Sequence, residues 1–148
     1  MIKTGKFLAV ICFFVFIAML TVQTSYASRA CTPGYWKNHT DEWVYFKPNW
    51  KVGDVFEIPA AYPDIANATL LEALSFKGGP EVEGAIRILL RTAVAAALNQ
   101  VHPDTYDSYV CDPVPEVTSD FIATLDRCTI LALAELWDKA NNGFCPLD

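Results

Sequence analysis

The sequence predicts an all-α fold, a compact bundle of about five helices with one aromatic loop, stapled by two disulfides. Several segments repeat apolar residues at the three- and four-residue spacing of an amphipathic helix. Proline stands near the expected start of four helices, where its missing N–H has no helical partner to lose. Only residues 52–56, Val-Gly-Asp-Val-Phe, have the pattern of a short strand.

Thr32 and Pro33 mark the start of the first helix, as its N-cap and its first helical residue. We expect this helix to continue to about Trp43. Pro48 then interrupts any helical periodicity. Residues 44–62 are therefore expected to form an extended aromatic loop.

The second and third helices are separated by residues 77–80, Lys-Gly-Gly-Pro. The second begins at Pro63 and places four apolar residues on one face: Ile65, Ala68, Leu71 and Leu74. The third runs from Glu81 to about Val101, which is about 30 Å at 1.5 Å per residue. Because residues 92–98 are small and apolar nearly all round, this should be the central buried helix.

The last two helices follow an irregular acidic segment. The fourth begins at Pro115 and repeats apolar residues at intervals of four: Val117, Phe121 and Leu125. The fifth runs from Thr129 to about Asn141, with an apolar face of Ile130, Leu133, Ala134 and Trp137. Residues 142–143, Asn-Gly, predict a left-handed C-cap.

Residues 1–27 have the pattern of a cleaved signal peptide, which leaves residues 28–148 as a single domain. Lys3 and Lys6 precede an apolar run over residues 7–22, and small residues then fit a cleavage site before Ser28. One alternative is an uncleaved membrane anchor, although the run is shorter than the ~20 residues that a span needs. Another is a lipoprotein acylated at Cys31. The expected location is secreted, extracellular or at the cell surface, with no membrane span after cleavage.

The chain is acidic, with 17 Asp and Glu residues against 11 Lys and Arg residues. Loss of Lys3 and Lys6 with the leader leaves nine basic residues and a net charge of −8. This charge disfavours nucleic acid and anionic membrane surfaces as partners. An extracellular protein or a glycan is the expected partner.

Four cysteines remain after the leader, at positions 31, 111, 128 and 145. An even number in a secreted domain indicates two disulfides, for which three connectivities are possible. Zinc is the alternative, but the chain has no Cys-x-x-Cys pair and its two histidines lie far apart in the sequence. Neither a metal nor a cofactor is predicted.

Residues 31–39, Cys-Thr-Pro-Gly-Tyr-Trp-Lys-Asn-His, concentrate specific side chains in one short segment. The predicted ligand-binding residues come from this segment and from the loop after it: Tyr35, Trp36, Lys37, Asn38, His39, Trp43 and Trp50. Exposed aromatic rings there would stack on sugars or anchor a protein partner. The alternative is that these rings fill the core of a domain whose helices are rich in alanine.

The function that the sequence favours is a non-enzymatic extracellular module for surface association or binding. Serine-hydrolase, zinc-protease and phosphate-loop motifs are absent from the sequence. The enzymatic alternative is a small secreted hydrolase in which His39 acts as a general base beside Asp41 or Glu42. A structural subunit of an extracellular assembly is the third possibility.

Residues 31–39 also resemble the opening of an uncharacterised module of secreted and cell-surface bacterial proteins. Three later stretches resemble the same module in order along the chain: residues 70–76, residues 85–99 with 102–103, and residues 129–136 with 141–142 and 145–147. No activity is established for this module. The resemblance therefore implies an extracellular location and domain boundaries more than a chemistry.

The resemblance further implies a disulfide pairing. The module typically carries cysteines that match Cys31 and Cys145, whereas Cys111 and Cys128 are additional and would pair with each other. The implied bonds are Cys31–Cys145 and Cys111–Cys128. On the chain-entropy view, the first closes a loop of about 115 residues and contributes about 4–5 kcal/mol, and the second contributes roughly 3 kcal/mol.

Overall fold

A computed structural model describes residues 29–105 and 113–148. Its described part contains six α-helices: α1 (Pro33–Asn38), α2 (Pro63–Asn67), α3 (Leu70–Ala73), α4 (Val82–Val101), α5 (Val114–Ala123) and α6 (Arg127–Asn141). Two 3₁₀ turns, Thr40–Glu42 and Val52–Asp54, lie between α1 and α2. Strand pairing in these residues is limited to two isolated bridges, Arg29 with Phe144 and Lys51 with Thr69. The predicted all-α class is confirmed, with six helices in place of five.

Helix α4 is the central helix of the domain, as its composition predicts. Every residue from 92 to 99 is buried. Helix α6 packs along α4 most extensively, and α5, α1 and α3 also contact it. Four alanines between positions 93 and 97 let these neighbours approach the α4 backbone closely, because their side chains end at Cβ.

Helix α1 begins where the sequence predicts but is shorter. Thr32 is the N-cap and its hydroxyl accepts a hydrogen bond from the Tyr35 N–H at 3.2 Å. The helix ends at Asn38 rather than near Trp43, because His39 leaves the helical region with φ −125° and ψ 62°. A separate 3₁₀ turn then carries the chain towards Trp43.

The single helix predicted from Pro63 is in fact two short helices. Ala68 adopts an extended conformation, and Thr69 then starts α3 as its N-cap. Thr69 and Glu72 form a reciprocal capping box, with Thr69 N–H to Glu72 Oε2 at 2.7 Å and Glu72 N–H to Thr69 Oγ1 at 3.1 Å. These hydrogen bonds satisfy backbone N–H groups at the start of a new helix. The chain is therefore divided here although the apolar stripe continues.

Three smaller predictions are wrong. Residues 52–56 do not form a strand, since the 3₁₀ turn Val52–Asp54 occupies this position. Leu125 is not part of the apolar face of α5, because it lies beyond the helix with φ 51° and is exposed. The C-cap of α6 is not left-handed, since Asn142 has φ −90° and no described glycine has positive φ.

The Cys31–Cys145 disulfide is confirmed and joins the two ends of the domain, with Cα atoms 4.6 Å apart. Close to it, the Ala30 N–H donates to the Phe144 carbonyl at 3.1 Å. The second implied bond is not observed. Cys128 is an exposed free thiol, and Cys111 lies outside the described residues.

The predicted leader, residues 1–27, also lies outside the described residues. Within the described part of the chain, no helix combines the length and the apolar character needed to cross a bilayer.

Candidate functional site

Helix α1 carries most of the predicted site residues, and it turns its two aromatic residues inward. Trp36 is fully buried and Tyr35 is 9% exposed. The Trp36 indole N–H donates to the Asn99 side-chain oxygen at 3.2 Å. These rings therefore fasten α1 to the core and do not form a stacking surface for a ligand.

Asn99 is the buried polar centre beneath α1. Its Oδ1 accepts hydrogen bonds from the Cys31 N–H at 2.8 Å and from the Trp36 indole. Its Nδ2 donates to the Cys31 carbonyl at 2.8 Å and to the Asn141 side-chain oxygen at 3.1 Å. Both lone-pair positions and both N–H groups of the amide are thus used. The sequence gives one signal for this role, an amide directly after the apolar stretch of the central helix.

Three side chains form hydrogen bonds with carbonyls of α1. Asn38 Nδ2 donates to the Gly34 carbonyl at 2.9 Å. His39 Nδ1 lies 2.9 Å from the Tyr35 carbonyl, which also accepts the His39 backbone N–H at 3.1 Å. The Trp43 indole N–H donates at 3.0 Å to the Trp36 carbonyl, one of the last carbonyls of the helix, which lack an intrahelical partner. A six-residue helix is stabilised in this way by its own sequence neighbours.

His39 contacts the C-terminal end of α1 through one of its ring nitrogens. Because a carbonyl can only accept, Nδ1 carries the proton in the contact with Tyr35. The imidazole stacks on the Tyr35 ring with centroids 4.1 Å apart and planes 12° from parallel. No carboxylate oxygen of the described residues forms an ion pair with His39 within 4.0 Å.

Tyr35 connects α1 to the C-terminal segment. Its hydroxyl donates to the Leu147 carbonyl at 3.1 Å. Desolvation by burial raises the pKa of Tyr35 above its ordinary value, and the nearby charges of Glu42, Asp148 and Asp41 raise it further. The phenol therefore stays protonated at neutral pH and remains a donor.

The aromatic loop after α1 has an exposed edge. Tyr45 is 65% exposed and its neighbour Val44 is 59% exposed. The Tyr45 ring packs edge-on against buried Phe46, with centroids 5.1 Å apart, and against half-buried Trp50 at 6.3 Å. We refer to Val44, Tyr45 and Trp50 as the aromatic face. Its rings are held in place from below by Phe46, which itself lies 6.3 Å from Trp50.

Lys37 faces neither the core nor the aromatic face. It lines an open groove of about 650 Å³ between α1, α2, α3 and α4. The groove is lined by Lys37, Asp64, Asn67, Ala68, Leu71, Glu72, Ser75, Phe76 and Arg87. We call it the Lys37 groove.

The charges of this groove differ in how far they are already compensated. Arg87 is bound by Glu83, whose Oε1 accepts from Arg87 Nε at 3.0 Å and from Nη2 at 2.9 Å. Hydrogen bonds from the Thr69 backbone and hydroxyl lower the pKa of Glu72, so this carboxylate is committed to the cap of α3. Lys37 and Asp64 have no ion-pair partner among the described residues.

The structure thus divides the predicted site into four parts. Tyr35 and Trp36 are buried supports, Asn38 and His39 cap α1, and Lys37 lines a groove. Trp43 and Trp50 are half-buried in the loop. The described residues contain no group of three His, Cys, Asp or Glu side chains that is arranged to hold a metal ion.

A scan against the models of known protein families, a search of curated proteins and a search of solved structures each found no match for this chain.

Proposed function

We propose that the protein is a secreted, non-enzymatic extracellular module for surface association or binding, and that it recognises its partner through the aromatic face. The observation that carries this proposal is the 65% exposure of Tyr45 on a ring that Phe46 and Trp50 hold in place. Large exposed aromatic side chains with a fixed orientation are common anchors in recognition surfaces. The expected partner is an extracellular protein or a glycan.

The physical basis is pre-organisation. Edge-on contacts with two rings restrict the Tyr45 side chain before a partner arrives, so less rotamer freedom is lost on binding. The ring offers apolar area, and its hydroxyl offers a hydrogen bond at the rim. Both a sugar ring and an apolar side chain can use this combination.

The hydrolase alternative has no observation in its favour. A general base needs an unoccupied nitrogen close to the reacting proton and commonly an orienting carboxylate. His39 donates through Nδ1 to the Tyr35 carbonyl, which leaves Nε2 as its accepting nitrogen, but neither Asp41 nor Glu42 is paired with the ring to orient it.

Secretion, the resemblance to the bacterial surface module and a Cys111–Cys128 bond are part of the same proposal. The Cys31–Cys145 disulfide supports an oxidising compartment, since such bonds persist mainly outside the cytosol. Peptide mapping of the secreted protein under non-reducing conditions tests both the cleavage before Ser28 and the cysteine pairing. Recovery of Cys128 as a free thiol would contradict the second bond.

A glycan and peptide array tests the aromatic face. We expect Tyr45→Ala to weaken the wild-type signal at least about tenfold, because a central aromatic anchor dominates such interfaces. The matched control is Phe144→Ala, which removes a ring of similar exposure, 68%, from the C-terminal segment. The proposal is wrong if wild type binds nothing on the array, or if Tyr45→Ala binds as wild type does.

A further inference from the structure

We infer that the Lys37 groove binds the C-terminal carboxylate of a peptide, together with the apolar side chain that precedes it. The inference rests on the proposed binding function but uses a surface other than the aromatic face. Three features carry it: an uncompensated cation, an oriented guanidinium and an apolar floor, all lining one groove.

Lys37 is the one long polar side chain of residues 31–39 that the fold does not use. The others have internal partners, namely Thr32, Tyr35, Trp36, Asn38 and His39. Lys37 is exposed, and its ammonium group has no hydrogen bond or ion pair within residues 29–105 and 113–148. Within a segment whose polar groups otherwise serve the fold, Lys37 is therefore available to a ligand.

Arg87 supplies an oriented second cation in the same groove. Two hydrogen bonds to Glu83 fix one side of its guanidinium, which also lies 5.1 Å from the centre of the Phe76 ring. Its remaining terminal nitrogen, Nη1, has no partner in the described part of the chain. A planar guanidinium held in this way is suited to a carboxylate oxygen. Because Glu83 already compensates the charge of Arg87, Lys37 supplies the positive charge that balances the ligand carboxylate.

The floor of the groove favours an apolar side chain over a sugar. Ala68 and Leu71 are partly buried and lie beside Phe76. The guanidinium of Arg87 lies over the Phe76 ring, so this side of the ring is not available for stacking on a sugar. A volume of about 650 Å³ falls within the range of small-ligand sites and is large enough for one or two residues.

Asp64 gives the groove a direction. Glu72 is already engaged by Thr69, whereas the Asp64 carboxylate has no partner among the residues described. It is therefore the acceptor for a backbone N–H of the ligand, while the cations bind its terminal carboxylate. A chain that offers N–H groups, an apolar side chain and a terminal carboxylate is a peptide end.

Fluorescence anisotropy with two peptide pools tests this inference. Both pools are fluorescein-labelled hexapeptides with randomised upstream positions and a final leucine; one ends in a free carboxylate and the other is amidated. We expect saturable binding of the free-acid pool and at least tenfold weaker binding of the amidated pool. Lys37→Gln should weaken binding of the free-acid pool about tenfold and leave the unfolding midpoint unchanged, because Lys37 is exposed.

Lys47→Gln is the matched control, since it removes an exposed lysine that does not line the groove and should bind as wild type does. The inference is overturned if the two pools bind equally, if neither binds, or if Lys37→Gln has no effect. Displacement by a polyuronate but not by unlabelled free-acid peptide would assign the groove to acidic sugars instead. Tyr45→Ala separates the two proposals, because it should weaken array binding at least about tenfold and leave peptide anisotropy unchanged.

Discussion

The side chain of Asn99 joins segments that are far apart in the sequence. It binds the backbone of Cys31 on both its N–H and its carbonyl, the indole of Trp36 and the amide of Asn141. Asn141 in turn donates to the Thr92 carbonyl at 2.8 Å, which returns the network to α4. One fully buried amide therefore holds the start of the domain against its two longest helices.

Replacing Asn99 with alanine should be strongly destabilising. The change leaves the N–H and carbonyl of Cys31 and the indole N–H of Trp36 buried without this partner. Each such group costs about 1–3 kcal/mol, so we expect a loss of at least about 3 kcal/mol. Urea unfolding followed by tryptophan fluorescence measures it.

The control for Asn99 is Asn142→Ala, which removes an exposed amide whose Nδ2 donates to the Asp138 carbonyl at 2.7 Å. Its expected loss is at most about 1 kcal/mol. Equal losses for the two variants would mean that the buried network does not stabilise the fold.

At the level of single residues, the sequence identifies the important segment, residues 31–39, but it does not show what each side chain in it does. The density of residues 31–39 is explained largely by the needs of a short helix, whose carbonyls are capped by Asn38, His39 and Trp43. Hydrogen-bond partners such as Asn99 are set by three-dimensional packing and have no fixed sequence spacing. Lys37, which makes no internal contact in the described residues, and Trp50, which lies in the aromatic face, are the predicted binding residues on which the two proposals depend.

Helix α4 and the loop before it approach each other so closely that only glycine fits. An ideal Cβ on Gly84 would lie 2.3 Å from the Gly79 nitrogen and 2.5 Å from its Cα. Since the contact is with backbone, relief requires the first turn of α4 to move away from the loop. The arrangement fixes where α4 starts, next to the groove wall formed by Arg87.

We expect Gly84→Ala to destabilise the protein by about 1–3 kcal/mol despite the better helix propensity of alanine, because overpacking against a backbone outweighs it. Gly34→Ala in α1 is the matched control. Its added Cβ would come no closer than 3.6 Å to another group, the Thr32 hydroxyl. This variant should gain up to about 1 kcal/mol. Thermal unfolding measures the stability of both variants. A Gly84→Ala variant more stable than the wild type would contradict the close approach of Gly84 to Gly79.

At the level of elements, long helices follow from periodicity and short ones do not. Helix α4 matches its prediction within one residue, because twenty residues give the apolar pattern many repeats. Residues 63–76 have the same kind of stripe, yet the Thr69–Glu72 capping box divides them into two short helices. Leu125 fits the stripe of α5 but falls in the turn that Asp126 closes as the N-cap of α6. Local capping thus decides where a helix ends when the apolar pattern alone would continue it.

For the whole molecule, the Cys31–Cys145 disulfide should be the largest single contribution to stability. The loop spans 114 positions, so opening it returns about 4–5 kcal/mol of chain entropy to the unfolded state. We expect the Cys31→Ser/Cys145→Ser double variant to lose a stability of this order, measured by urea unfolding. A change below about 1 kcal/mol would show that the bond is not needed to hold the ends.

Cys128→Ser tests the proposed second bond. If Cys111 and Cys128 pair in the secreted protein, this variant should lose about 3 kcal/mol. A change within about 0.5 kcal/mol, as expected for the exposed free thiol of the structure, would contradict the bond.

The closeness of the two half-cystines also determines how the domain can be joined to others. With Cα atoms 4.6 Å apart at Cys31 and Cys145, polypeptide added before the first or after the second leaves from one place on the surface. Such a domain can be inserted into a loop of a host protein without stretching it, because the gap it opens is about one Cα–Cα step wide. A domain inserted in this way would present both the aromatic face and the Lys37 groove on the surface of its host.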